Sequence, residues 1–148
     1  MSEVRDSALD PEHVPRGVAE VGFKVRSGMR SSLITFDETG TEFYLGSFKV
    51  EETSVLFSLQ KKSILDESKN FNVKMRGPTL SSFMWDRARI VVKVFSKHNL
   101  VFMNTHNAVL RFDSRTGELQ HQEKLQPGRT IVSYYISEHD LSSGQITI

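Results

Sequence analysis

The 148-residue chain contains no cysteine. A disulfide framework, a thiolate metal site and a cysteine nucleophile are therefore excluded. Proline is scarce, tryptophan occurs once, and no apolar run approaches the roughly 18 residues that a membrane helix requires. The stretch from Met1 to Glu12 is polar and acidic and lacks the apolar segment of a secretory leader, so the expectation is an intracellular protein of unassigned compartment. Ser2 stands where myristoylation needs glycine, and the end at Ile148 is no prenylation box. Glycine-rich phosphate loops and the G-x-S-x-G elbow are missing. His13, His98, His106, His121 and His139 show no metal-ligand spacing. The carboxylate pairs Asp37-Glu38, Glu51-Glu52 and Asp66-Glu67 fall in turn-like stretches, and neighbours on a strand would point to opposite faces. These absences lead to an expectation of no metal, no cofactor and no catalysis.

What the chain does have is alternation. From Val18 onward the apolar residues recur with period two, the signature of half-buried strands. Val55, Phe57 and Leu59 alternate with Leu56, Ser58 and Gln60; Phe71, Val73 and Met75 alternate with Asn72, Lys74 and Arg76. Turn signals separate the runs: Asp37 to Gly40, Gly77-Pro78, His98-Asn99, Asp113 to Gly117 and Pro127-Gly128. A bulge is expected at Gly46, a strand over Thr130 to Ile136, and an edge strand over Gln145 to Ile148. Ser63 to Asn70 is the one helical candidate. The fold class expected is all-β: an antiparallel β-sandwich, jelly-roll-like, or a closed barrel, in one domain with at most one short helix. Residues 1–17, punctuated by Pro11, Pro15 and Gly17, read as an N-terminal arm, and 18–148 as the β domain.

Residues 100–119, with Asp113 and the Thr116-Gly117 pair between apolar strands, resemble the hairpin of a quinoprotein-type propeller blade. His121 stands where such blades carry tryptophan. A propeller needs about four or more blades of roughly 40 residues, beyond the length of this chain, so the resemblance implies only a glycine-closed hairpin.

Net charge is +1, but it is unevenly spread. Residues 1–19 are net acidic, whereas residues 69–97 carry Lys69, Lys74, Arg76, Arg87, Arg89, Lys93 and Lys97 against Asp86 alone. The segment 87–97 reads as a strand with Ala88, Ile90, Val92, Val94 and Ser96 toward a core and Arg87, Arg89, Val91, Lys93, Phe95 and Lys97 on the other side. With Lys24, Arg26, Lys74 and Arg76 on neighbouring strands, these cations would form a plateau able to release counterions from phosphates, with Phe95 stacking on a base. Phe83 and Trp85 are the candidate protein contact. The leading expectation is a non-catalytic assembly or interaction protein, of the general make-up of virus-type coat or matrix subunits. It would self-associate or bind another protein and face an anionic partner. The alternatives are a monomeric nucleic-acid-binding module and a small β-fold enzyme acting on a sugar or nucleotide. A membrane surface is the less favoured partner.

Overall fold

The computed structural model describes residues 29–51, 53–78, 89–126, 128–129, 131, 133–144 and 146. Two antiparallel sheets dominate them, and neither closes into a barrel. The first sheet holds β1 (Met29–Ser31), β2 (Thr35–Phe36), β3 (Glu42–Val50), β4 (Ser54–Ser63) and β5 (Phe71–Pro78). Its order is β1-β3-β4-β5, with β2 pairing β3 beside β1. The second holds β6 (Val92–Phe95), β7 (Leu100–Asn104), β8 (Ala108–Asp113) and β9 (Leu119–Lys124) in that order. Each sheet is thus a run of consecutive strands. A jelly roll would alternate strands between sheets, so the connectivity here is that of meanders packed face to face.

Alternation fixes which side chains meet between the sheets. Tyr44 and Phe48 of β3, Val55, Phe57 and Leu59 of β4, and Val92, Val101, Met103, Leu110 and Phe112 of the second sheet form one buried cluster. Phe71, Val73 and Met75 of β5 pack on its side. Gly46 lies in this layer within an unbroken strand, so there is no bulge. A Cβ there would stand 2.7 Å from Ile90 Cγ2 and 2.9 Å from Met103 Sδ. The glycine is required by the close approach of the two sheets.

The central strands of the second sheet, β7 and β8, are buried on both faces. Leu100, Phe102 and Val109 turn away from the first sheet and pack with Ile131, Tyr134, Ile136, Leu141 and Ile146. The molecule therefore has a third layer, made of an irregular segment and α1 (Glu138–Ser143). The expected strand over 130–136 is not formed among its described residues; side-chain packing and the hydrogen bond from Ile131 N to His106 O (2.8 Å) hold the segment instead. Helix α1 carries a capping box: Ser137 Oγ accepts from the Asp140 amide and the Asp140 carboxylate accepts from the Ser137 amide. Between β4 and β5 the expected helix shrinks to a 3-10 turn, Glu67–Lys69, because the hairpin connection leaves no room for more. Of the expected strand 87–97, residues 89–91 are irregular and Val92–Phe95 form β6, which runs straight into a 3-10 turn, Ser96–His98, that Asn99 closes in the left-handed conformation.

Candidate functional site

The expected cationic plateau is divided by the topology. Lys74 and Arg76 lie on the outward face of β5 in the first sheet, whereas Lys93 belongs to β6 in the second. Arg76 is held by the Glu51 carboxylate and Ser54 Oγ. Lys93 lies on the side opposite the sandwich core, as alternation predicts, but that side is covered. Its ammonium donates to Tyr134 O at 2.6 Å and sits 4.8 Å from the centre of the Tyr134 ring. Tyr134 in turn donates from its hydroxyl to Val91 O at 2.7 Å, and burial pushes its phenol pKa up. Phe95 is half-buried and packs edge-on against Phe102, with centroids 5.7 Å apart, so it is engaged at the margin of the second core cluster. Lys97 falls in the 3-10 turn after β6. Lys24, Arg26, Phe83, Trp85 and Arg87 lie outside the described residues.

Arg89 enters a different grouping. The Asn104 side chain fixes its backbone, donating to Arg89 O at 2.6 Å and accepting from Val91 N at 2.8 Å. Arg89 thereby lines a cleft of about 410 Å³ together with Arg30, Leu33, Phe48 and Ile90. Ser32 anchors the other wall: its amide donates to Gly46 O (2.8 Å) and its hydroxyl accepts from Gly46 N (3.1 Å). The next residues are forced outward. Leu33 is 88% exposed, Ile34 41% and Phe36 61%, with Phe36 leaning on Phe43 at 6.3 Å between ring centres. This shoulder of apolar side chains beside two arginines was not anticipated. The run Leu33-Ile34 reads as an ordinary strand in the sequence.

A second recess lies between β5 and β9. Leu119, Gln122 and Lys124 project toward the first sheet, but that sheet ends at β5 among the described residues and leaves them exposed. The result is a wedge of about 310 Å³. Phe57, Met75, Leu110 and Leu119 give it an apolar floor, and Asn107, Gln122, Lys124 and Arg76 give it a polar rim. The His106 ring stacks on Phe57 at 5.9 Å and 20°, and burial holds its pKa below the ordinary histidine value. One histidine and no carboxylate line the wedge among the described residues.

A buried ionised cluster involves neither recess. Lys61 is 2% exposed and lies between the rings of Tyr44 and Phe71, at 5.8 and 5.7 Å. Its ammonium donates to Ser114 O at 2.6 Å and pairs with Glu42 Oε2 at 3.2 Å. Burial, and then the charges of Glu42 and Asp37, push the Tyr44 phenol up. The sequence held the signal for this site: Val55, Phe57, Leu59 and Lys61 share one parity on β4, so the lysine had to point inward with the others. Neither recess reaches Lys61, which places the cluster in the frame of the fold.

Among the described residues no group of three or more His, Asp or Glu side chains is placed to hold a metal, and no helix is long and apolar enough to cross a membrane. No protein-family model, curated protein or solved structure matches the chain.

Proposed function

We propose that this chain is a non-catalytic assembly protein that associates with further copies of itself through the β1–β2 shoulder. The observation that supports this reading is the exposure of Leu33, Ile34 and Phe36 on one short segment beside Arg30 and Arg89. Large apolar side chains concentrated in this way mark contact surfaces, because each loses unfavourable hydration when a partner covers it. Arginine at such a surface recognises carboxylates bidentately. Residues 1–19 of the same chain, net acidic, offer a second copy the complementary charge. The narrower reading, a virus-type coat or matrix subunit, requires the same self-association and rests on fold analogy.

Sedimentation velocity across protein concentration and salt tests the proposal. The expected result is concentration-dependent growth in mass, weakened at least about tenfold in a Leu33→Asp/Phe36→Asp variant. A monomer at every concentration overturns it. Fluorescence anisotropy with labelled oligonucleotides tests the alternative of a nucleic-acid-binding module, for which the outward Lys74 and Arg76 of β5 are the remaining support. That alternative requires a steep fall in affinity with salt.

A further inference from the structure

We propose that the wedge between β5 and β9 binds a small organic anion with a compact apolar body, an aromatic carboxylate being the simplest member of the class. The inference is independent of the assembly reading, since the wedge lies at the β5–β9 side of the sandwich and the shoulder at the β1–β2 side.

Shape limits the occupant. At one end β5 meets the β8–β9 turn directly: a Cβ on Gly117 would stand 2.7 Å from Val73 Cγ2 and 2.9 Å from the Phe71 ring. At the other end Gly77 leaves space before His106, with 3.5 Å from its virtual Cβ to Phe57 and 3.9 Å to His106. The recess between these ends holds about 310 Å³, the space of a small molecule.

Chemistry limits it further. Met75, Leu110 and Leu119 offer dispersion contacts to an apolar body, and Phe57 with the His106 ring gives flat stacked surfaces at the base. Lys124 stands at the rim, with the amides of Asn107 and Gln122 near it. Arg76, although held by Glu51, adds a second cation. Carboxylates are missing from the lining among the described residues, so an anion meets Lys124 and amide donors, whereas an amine would find no partner of opposite charge there. Leu119 itself supports the assignment. The strand β9 is otherwise polar, yet its apolar residue faces the recess at 38% exposure.

The test is an amide NMR titration of the full chain with naphthoate and, in parallel, with naphthalenemethanol, which has the same ring and no charge. The expected result is shifts confined to residues around Gly77, Asn107, Ala108 and Leu119, with naphthoate binding about tenfold tighter than the alcohol. Lys124→Glu should remove that preference, and Leu119→Trp, which fills the recess from an exposed edge strand, should abolish both. Shifts elsewhere, equal binding of the neutral probe, or no shifts at millimolar naphthoate overturn the proposal. None of these outcomes alters sedimentation of the free protein, so failure here is distinguishable from failure of the assembly reading.

Discussion

Lys61 of the first sheet is bonded to Ser114 of the second: its ammonium donates to the Ser114 carbonyl at 2.6 Å, across the end of the sandwich. The contact ties β4 to the β8–β9 turn. It is costly to break from one side, because the Ser114 carbonyl is left in a buried setting and Glu42 loses its partner. Removal of one member of a buried pair typically costs about 3–5 kcal/mol, and Glu42 is partly hydrated, so Lys61→Ala is expected to lose roughly 3 kcal/mol. Lys61→Met keeps the stem between Tyr44 and Phe71 but leaves the same two groups unpaired, so it should lose somewhat less than the alanine variant. Urea midpoints at constant slope measure both. A loss below about 1 kcal/mol in the alanine variant would mean that the pair adds nothing beyond its own desolvation.

Acid should weaken the fold through two turn aspartates. Burial raises the Asp37 pKa, but hydrogen bonds from the Thr39 hydroxyl and the amides of Glu42, Thr41 and Gly40 outweigh it, and the net position is below the ordinary value. Asp113 is lowered chiefly by its bonds from Arg115. A carboxyl that binds protons less readily when folded stabilises above its unfolded pKa, near about 3.9, and loses that contribution as pH falls through the folded value. Denaturant midpoints should therefore drop below about pH 4. Asp37→Asn should be less stable at neutral pH and show a shallower acid limb; an unchanged limb in Asp37→Asn and Asp113→Asn would show that neither group contributes.

Gly46→Ala tests the closeness of the sheets. The added methyl would meet Ile90, Met103 and Val92 at 2.7, 2.9 and 3.0 Å. Overpacking of this kind costs about 1–3 kcal/mol. Calorimetry should show a lower melting temperature with the same β content by circular dichroism. An unchanged melting temperature would mean that the facing side chains move aside freely.

Lys93 and Tyr134 should govern how firmly the third layer is held. Lys93→Ala removes the bond to Tyr134 O and the ring contact while leaving the sandwich core intact. Amide exchange over residues 131–144 is expected to accelerate at least about tenfold, with little change in β4 and β7. Equal acceleration everywhere would show that the layer is inseparable from the core.

Periodicity made most of the sandwich legible before any coordinates. The parity of Phe71, Val73 and Met75, and of Ile90, Val92 and Val94, placed these residues toward the core where they lie. Parity cannot report what covers the other side. Lys93 and Phe95 read as a solvated cationic face because the covering segment, Ile131 to Ile146, carries no regular period of its own. The same limit hid the shoulder and the wedge, since both arise where one element ends before its neighbour. The six-residue α1 was missed because its signal is the single Ser137–Asp140 capping pair. Lys61 was legible in the parity that places it with Leu59, but the alternation was followed only as far as Gln60.

The burial of β7 on both faces carries a consequence for synthesis. Residues 44–112 can close the inter-sheet core as soon as β8 has left the ribosome. Leu100, Phe102 and Val109 then wait with their outer sides bare until the stretch reaching Ile146 arrives to cover them. During that interval the nascent chain presents a greasy sheet surface to its surroundings, and chaperone capture or early clumping would be decided there.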